Sequence, residues 1–249
     1  MIDTHAHVFM CKTPLEEILE NASRAGVSHV VTVGLDIETS MTALGLSEDY
    51  PQLIPTLGLY PSEAEGDYDL GAVRELLEVY PFKAIGEIGL DFYKNYATPE
   101  RQIALFEAQL ALALDFDLPV LIHNRHADAE MLSVFKHFPS VEKVFHCFCG
   151  SMDFVASILA VSPKTLFSFS GLVTTSQDVA LMEVIRSLPF DQMMIETDCP
   201  YLTPAAFKGK ENQPAYVVEV AKKIAMLRGC SVEDVDRFTT STAKQFFRL

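Results

Sequence analysis

The sequence has no apolar run long enough to cross a membrane, because charged residues or proline interrupt every hydrophobic stretch well before about 18 residues. Its beginning, Met1-Ile2-Asp3-Thr4-His5, carries neither the basic region nor the long apolar region of a secretory signal. We therefore expect a cytoplasmic protein that does not act on a membrane.

Positive charge is also scarce. The chain has 19 Lys and Arg against 34 Asp and Glu, which gives a formal net charge of −15. Tight, non-specific binding of a long nucleic acid requires many cations that neutralise phosphates, so the composition argues against that class of protein. It does not exclude catalysis on a phosphate, because a bound metal ion can supply the positive charge.

The chain lacks a Ser/Gly-rich linker, a low-complexity tract and any shift in composition, which predicts a single domain over residues 1–249. A chain of this length, 49% hydrophobic, can bury a substantial core without disulfides. The five cysteines are odd in number and irregularly spaced, which indicates a reducing compartment rather than a disulfide framework.

What the sequence does contain is a regular alternation of short apolar runs and longer amphipathic stretches. The mean repeat is about 27 residues, enough for one strand, one helix and two short loops. Strands that alternate with helices pair in parallel, and eight such units predict an α/β fold, a TIM-like (β/α)8 barrel. The eight candidate strands are residues 1–7, 29–35, 53–59, 84–90, 119–123, 143–148, 166–171 and 193–197.

Several helix boundaries can be predicted from capping residues. Thr13 and Thr98 each precede Pro and then a Glu, which is typical of a helix N-terminus. Gly26 stands where the first helix requires a left-handed residue at its end. Ser231 begins a final helix after the barrel is complete, which predicts a C-terminal extra helix. The helix after Thr98 is predicted to bury one face, formed by Ile103, Phe106, Leu110 and Leu114.

Six potential metal ligands lie at or near the ends of five candidate strands, the rim where such barrels carry their active sites. Imidazoles and carboxylates suit Zn²⁺ or Mn²⁺ and remain compatible with Mg²⁺. Six ligands exceed one tetrahedral site, so we expect two divalent ions, bridged by Glu87. Any one of these histidines taken alone is better explained as an ordinary core or surface residue. The predicted metal ligands are His5, His7, Glu87, His123, His146 and Asp198.

The remaining histidines and cysteines do not join this pattern. His29 begins a strand at the opposite rim, and His137 lies in the last turn of a helix, where a cation is favoured. His126 is either a substrate contact or a solvent-facing residue at a helix start. Cys147 has the opposite strand parity to His146 and is expected to pack under a helix, and Cys199 is expected to be a buried thiol.

The order of the motifs along the chain resembles that of the TatD-family hydrolases of the amidohydrolase superfamily. The resemblance spans essentially the whole chain, and the segments around Glu87 and Asp198 are specific enough to name the family. Lys208-Gly209-Lys210 and Asn212-Gln213-Pro214 fit it as well. The motifs are Asp3-Thr4-His5-Ala6-His7, Gly86-Glu87-Ile88-Gly89-Leu90-Asp91-Phe92-Tyr93, His123-Asn124-Arg125, His146-Cys147-Phe148 and Glu196-Thr197-Asp198-Cys199-Pro200-Tyr201-Leu202.

The resemblance implies a metal-dependent TIM-like barrel that acts as a deoxyribonuclease, with the six residues above as ligands. Three positions depart from the family pattern. Tyr60-Pro61-Ser62 stands where members usually have His-Pro-His, Cys149 replaces a Ser, and Thr242 replaces an Asn. The first departure removes a pair of imidazoles on the substrate side.

We predict that the enzyme hydrolyses phosphodiesters by a metal-activated water, with Asp198 and Glu87 as catalytic residues. Asp198 would hold a metal and accept the proton of the water. The Arg125 guanidinium either donates hydrogen bonds to a phosphate oxygen of the substrate or forms a salt bridge at the rim. The predicted substrate-binding residues are Arg125, Lys208, Lys210 and Asn212.

The acidic composition favours short or single-stranded DNA ends over a long duplex as the partner, and no obligate protein partner is evident. Three alternatives remain open. The same metal site could hydrolyse a small amide, lactone or ester, or it could deacylate D-aminoacyl-tRNA. A non-catalytic metal-binding protein is the third.

Overall fold

Eight strands and nine α-helices make up the part of the chain that the computed structural model describes, residues 1–94 and 96–249. The strands are β1 (Ile2–Ala6), β2 (His29–Thr32), β3 (Leu53–Pro55), β4 (Ile85–Asp91), β5 (Val120–Arg125), β6 (Lys143–Phe145), β7 (Thr165–Phe169) and β8 (Met193–Ile195). The helices are α1 (Leu15–Arg24), α2 (Ile37–Asp49), α3 (Leu70–Val79), α4 (Pro99–Asp115), α5 (Asp128–Phe135), α6 (Met152–Val161), α7 (Val179–Ser187), α8 (Val217–Arg228) and α9 (Val232–Phe247).

Each apolar run of the sequence overlaps one of these strands. The runs are nearly continuous rather than alternating because the strands are buried on both faces, as every residue of β4 is. Several runs extend beyond the strand they contain. His146 directly follows β6 and Asp198 follows β8 by three residues, so both lie in the connecting segments.

Two of the three predicted N-terminal helix caps are confirmed. The hydroxyls of Thr98 and Ser231 accept backbone N–H groups of α4 and α9. The prediction for Thr13 is wrong, because Pro14 precedes the first residue of α1 and the Thr13 hydroxyl does not cap it. Thr13 Oγ1 instead donates to Glu211 Oε2 at 2.8 Å, so the carboxylate takes the hydroxyl away from the helix.

Helix α4 buries two of the four residues of the predicted face, and a third, Ile103, is half-buried. Phe106 and Leu110 are inaccessible to solvent, but Leu114 is 46% exposed, since Leu112 and Ala113 fill the buried side of the last turn. This helix is the longest, with 17 residues. Within residues 1–94 and 96–249 no helix combines the length and the apolar character needed to span a bilayer.

The chain forms two compact units. The first unit contains Met1–Thr32, His146–Asp153 and Leu166–Leu249. In it β1 pairs in parallel with β2, and β7 pairs in parallel with β8. The end of β1 also pairs with the segment after β8, through a parallel bridge between Ala6 and Cys199. Helix α9, the predicted extra helix, packs on α8, β8 and β1.

The second unit contains Val33–Phe145 and Phe154–Thr165. Here β4 pairs in parallel with β5, and β5 pairs with β6, while a bridge from Leu57 to Ile85 joins the segment after β3 to β4. The register aligns Asp91 at the end of β4 with Arg125 at the end of β5. The carboxyl ends of these parallel strands therefore bring their side chains to one edge.

A buried lysine, Lys143, lies at the amino-terminal end of β6 in the second unit. The Lys143 ammonium donates to the carbonyls of Phe138 and Val141 at 2.6 and 2.7 Å and to Ser162 Oγ at 2.9 Å. The ammonium also lies 4.8 Å from the centre of the Phe135 ring. Burial lowers the pKa of Lys143 to about 7.

Candidate metal centre

Two histidines and an aspartate converge in the first unit because the backbone ties the end of β1 to the segment after β8. The Asp198 N–H donates to the His5 carbonyl at 2.9 Å, and the His7 N–H donates to the Cys199 carbonyl at 2.8 Å. As a result Asp198 Oδ1 lies 3.8 Å from His5 Nε2 and 3.6 Å from His7 Nε2. Both imidazoles are buried.

His146 completes this group. Its ring stacks on that of His5, with ring centres 4.1 Å apart and an angle of 19° between the planes. His5, His146 and Asp198 each present one potential ligand atom, and the three atoms lie within 4.8 Å of one another. Residues that are 141 and 193 positions from His5 in the sequence thus meet it at one place in the first unit.

A carboxylate outside the predicted ligand set holds His146. Glu196 is buried, and its Oε1 accepts the Cys147 N–H at 2.6 Å and lies 3.4 Å from His146 Nδ1. Burial acts to raise the pKa of Glu196, but the hydrogen bond and the charge of His146 outweigh it, so the pKa lies below its usual value. Glu196 therefore faces His146 as a carboxylate and directs the other ring nitrogen, Nε2, away from itself.

The backbone at these positions is constrained. Cys147 and Asp198 both adopt left-handed conformations, with φ of 44° and 57°. Such conformations are uncommon for residues other than glycine and cluster at functional sites. A second buried carboxylate, that of Asp3, holds the residue before Asp198. It accepts from Thr197 N at 2.8 Å and from Thr197 Oγ1 at 2.5 Å. Burial raises the pKa of Asp3 to about 8, although the bonds from Thr197 act in the opposite direction.

The second unit brings Glu87 and His123 together. His123 Nδ1 lies 2.8 Å from Glu87 Oε1. Glu87 lies inside β4 rather than at its end as the sequence predicted, and Asp91 is the last residue of that strand. The other imidazole nitrogen, His123 Nε2, lies 3.3 Å from Asp91 Oδ2. Each ring nitrogen of His123 thus faces a different carboxylate.

Tyr60, at the position where the family pattern has a histidine, takes part in this group. Its hydroxyl lies 3.1 Å from His123 Nε2 and donates to Asp91 Oδ2 at 3.5 Å. Burial, together with the nearby Glu87 and Asp91 charges, raises the pKa of the phenol, so it remains protonated and can donate. The departure that the sequence analysis associated with a lost imidazole therefore supplies a hydroxyl beside a predicted ligand.

Two buried glutamines of α4 fix the backbone that carries Tyr60 and Asp91. Gln102 accepts the Asp91 N–H at 2.9 Å and donates to the Asp91 carbonyl at 3.1 Å. Gln109 accepts the Leu59 N–H at 2.8 Å and donates to the Leu59 carbonyl at 2.9 Å. Sequence reasoning missed both. The signal was available, because two amides seven residues apart lie on the same face of the helix as Phe106, which the sequence predicted to be buried.

The predicted substrate-binding residues fall into two groups. Arg125, Lys208 and Lys210 are exposed. Arg125 stacks on Tyr93 rather than forming a salt bridge at the rim. Asn212, in contrast, is buried, and its Nδ2 donates to the carbonyls of Thr197 and Tyr201. The structure thus gives Asn212 a role as an anchor of the loop that carries the two lysines.

The other histidines and the cysteines lie as follows. His29 lies at the start of β2 and contacts Ser28, and His137 is exposed, 3.6 Å from Glu107. Cys199 is buried, as predicted. Cys147 is half-buried with its sulfur 3.1 Å from Ser170 Oγ, and burial raises the pKa of its thiol. A thiol held protonated in this way is a poor metal ligand.

The donors in each unit fit a divalent cation. Ligand atoms bound to one ion at about 2.0–2.2 Å lie roughly 3–3.5 Å from each other. The separations of 3.6 and 3.8 Å around Asp198 and of 2.8 Å between Glu87 and His123 are close to these values. Imidazole nitrogens mixed with carboxylate oxygens suit Zn²⁺ and Mn²⁺ and tolerate Mg²⁺.

Comparison with known proteins decides the family. The family model described as TatD related DNase matches residues 2–248. The chain belongs to the TatD family. A relative from Bacillus subtilis, described as the uncharacterized metal-dependent hydrolase YabD, is 36% identical and is aligned over 100% of this chain and 99% of its own length. A TatD protein of Erwinia tasmaniensis, described as a 3'-5' ssDNA/RNA exonuclease, is 32% identical, with 94% of this chain and 93% of that protein covered.

A solved structure supports the same family assignment. The crystal structure of YJJV, a TatD homologue from Escherichia coli, superposes with a TM-score of 0.91 and 28% identity, covering 100% of this chain and 98% of that one. The predicted fold class, an α/β fold of the TIM-like barrel type, is thereby confirmed. The predicted TatD family and the predicted enzyme class, a metal-dependent hydrolase, are confirmed as well.

Proposed function

We propose that residues 1–249 act as a single hydrolase domain that cleaves phosphodiester bonds at the ends of single-stranded or short DNA. The observation that carries the proposal is the convergence of His5, His7, His146 and Asp198 in the first unit. A site of three imidazoles and a carboxylate in a TatD-family chain is suited to metal-assisted hydrolysis. The description of a 32% identical relative as an ssDNA/RNA exonuclease supports a single-stranded substrate.

The proposed metal ligands are the six residues that the sequence indicated: His5, His7, Glu87, His123, His146 and Asp198. We propose that these residues would hold two divalent ions. When bound, such ions lower the pKa of water toward neutrality and stabilise charge on phosphoryl oxygens. The pairs formed by Glu196 with His146 and by Asp91 with His123 orient the imidazoles for this purpose.

Asp198 is the proposed proton acceptor. Its side chain is 13% exposed, whereas the His5 side chain beside it is fully buried, so the aspartate is the member of this pair that solvent reaches. The backbone bond from Asp198 to His5 and the bonds from Thr197 to Asp3 hold it in place. A carboxylate fixed in this manner can accept the proton of the attacking water without reorganisation of the chain.

Arg125, Lys208 and Lys210 are the proposed contacts to substrate phosphates. They are few, and the net charge of −15 works against a longer track of phosphate contacts. A substrate with one accessible end, requiring only a few contacts, fits this distribution better than a long duplex. The five free thiols are consistent with our proposal that the protein acts in the cytoplasm.

A substrate panel tests the proposal. Purified protein, stripped of metal and then loaded with Mg²⁺, Mn²⁺ or Zn²⁺, is incubated with labelled single-stranded DNA, duplex DNA, D-aminoacyl-tRNA and a set of lactones and amides. We expect cleavage of the single strand with at least one metal and its loss in Asp198→Asn. His137→Asn is a matched control, because that histidine lies outside the site. If the single strand stays intact with all three metals while an ester, lactone or amide is hydrolysed, the nuclease proposal is wrong.

A further inference from the structure

An exposed arginine and an exposed tyrosine form a pair at the carboxyl ends of β4 and β5. Arg125 Cζ lies 3.9 Å from the centre of the Tyr93 ring, close enough for a strong cation–π contact. Tyr93 follows the end of β4 by two residues and is 54% exposed. The Phe92 N–H, which precedes it, donates to the Arg125 carbonyl at 2.9 Å and ties the two segments together.

Arg125 differs from the other arginines that stack on aromatic rings in residues 1–94 and 96–249. Arg74, over Phe116, pairs with Asp115, and Arg237, over Phe238, pairs with Asp234. The third, Arg228, donates to two backbone carbonyls.

Within the same described residues the Arg125 guanidinium makes neither an ion pair nor a hydrogen bond. Its five N–H groups remain available to a ligand.

His126 holds the Tyr93 ring from another direction. Its ring meets that of Tyr93 edge to face, with ring centres 5.2 Å apart and an angle of 73°. His126 adopts a left-handed backbone conformation, with φ of 59°, which is uncommon outside glycine. Tyr93 is thus in contact with two consecutive residues, Arg125 and His126. Because the ring is held in this way, it restricts the stacked Arg125 guanidinium to a small range of orientations.

We propose that Arg125, Tyr93 and His126 form a subsite for a phosphate group of the nucleic-acid substrate. The subsite rests on the proposed function, in which Arg125 is already a phosphate contact, and deepens it by adding Tyr93 and His126 as the residues that position the guanidinium. Arg125 and His123 are two residues apart on β5 and share one face of the strand, so the phosphate would be bound beside a proposed metal ligand. A guanidinium is matched in geometry to two phosphate oxygens, and Tyr93 holds it in the orientation that this fork requires.

The acidic residue paired in register with Arg125 is already engaged. Asp91, the register partner of Arg125, accepts the N–H groups of Tyr93 and Lys94 at 3.0 and 2.9 Å and contacts His123. Burial acts to raise the pKa of Asp91, but the hydrogen bond with His123 and smaller effects, the last of them the Arg125 charge, outweigh it, so the pKa lies below its usual value. Among the described residues no ion pair joins Asp91 and Arg125. The guanidinium therefore keeps its hydrogen-bonding edge for an external anion.

Calorimetric titration of the metal-loaded protein with thymidine 5′-monophosphate and with thymidine tests the subsite. We expect Arg125→Met to weaken binding of the monophosphate at least tenfold and to leave thymidine binding unchanged. Tyr93→Leu, which removes the stacking surface, should weaken it about threefold, whereas Tyr93→Phe should stay within about twofold of the parent. Arg74→Met is the matched control, because it removes another stacked arginine and should have no effect.

The outcomes separate the subsite from the nuclease proposal. Equal affinity of the parent, Arg125→Met and Arg74→Met for the monophosphate would overturn the subsite, as would a parent protein that does not bind the monophosphate. If Arg125→Met weakens binding as expected but single-stranded DNA is not cleaved with any metal, the phosphate subsite stands and the proposed nuclease function fails.

Discussion

Replacing Asp91 by Asn should weaken metal binding by reversing the tautomer of His123. In the native protein the Asp91 carboxylate lies 3.3 Å from His123 Nε2, which favours a proton on that nitrogen and leaves Nδ1, beside Glu87, as the ligand atom. An amide at position 91 would present N–H to Nε2. His123 would then accept that hydrogen bond at Nε2 and carry its own proton on Nδ1, the atom that we expect to bind the metal.

The structure also indicates how large this effect should be. Asp91 Oδ1 accepts the N–H groups of Tyr93 and Lys94, and an Asn side-chain oxygen can retain both bonds, so the fold should be preserved. What changes are the two contacts of Oδ2, to His123 Nε2 and to the Tyr60 hydroxyl. Loss of such a partner typically lowers metal affinity about 10- to 100-fold, equivalent to about 1.4–2.8 kcal/mol. We expect the reduction for Asp91→Asn to fall in this range.

The measurement is a competition titration with a chromophoric chelator, using Zn²⁺ and Mn²⁺. Glu107→Gln is the matched control, because it alters an exposed carboxylate that lies 3.6 Å from His137 in the same unit. Thermal melting of the metal-free proteins checks that both variants fold. An Asp91→Asn protein that binds both metals as tightly as the parent would refute the assignment of Nδ1 as the ligand atom.

Three further predictions concern other residues. Because burial lowers the pKa of Lys143 from 10.5 to about 7, the folded protein binds fewer protons than the unfolded chain between these values, so its stability should rise with pH across that window. Relative to Lys143→Met, the free energy of unfolding from urea titration should rise by about 5 kcal/mol at most across this window. The same pH dependence of that free energy in both proteins would contradict the prediction. Replacing Lys208 and Lys210 by Gln should make the slope of log(kcat/KM) against log[salt] on single-stranded DNA shallower by up to about 1.4, and an unchanged slope would remove both lysines from the substrate contacts. Asn212→Ala leaves the carbonyls that receive its amide without that donor and should cost about 1–3 kcal/mol of unfolding free energy, whereas stability equal to the parent would rule out the anchoring role.

The architecture could be predicted because its determinants are local. A fully buried strand leaves an apolar run, and the distance to the next run reflects one helix and two loops, so eight strands could be placed without any knowledge of contacts. Capping by Thr98 and Ser231 is equally local. Thr13 failed for the opposite reason, since its hydroxyl bonds to Glu211, 198 residues away, and nothing in the flanking sequence indicates that.

The candidate site also has one part that the sequence predicts and another that depends on the tertiary fold. Strand parity and strand ends were enough to select potential ligands, but they did not identify the groups that orient them. Tyr60 lies 63 residues from His123 and Glu196 lies 50 residues from His146, so these pairs depend on the tertiary fold. Glu87 was assigned to the end of a strand although the apolar run continues to Leu90, and β4 extends through Asp91, so Glu87 lies in its middle.

Metal content per chain tests the central claim most directly, because the proposed ligand set includes both His5 and His123. The parent, His5→Ala, His123→Ala and His137→Ala are loaded with Zn²⁺ or Mn²⁺, freed of excess metal and analysed by inductively coupled plasma mass spectrometry. The account predicts that the parent retains two ions, that the His5 and His123 variants each lose at least one, and that the His137 variant loses none. Metal content that is the same in all four proteins would contradict it.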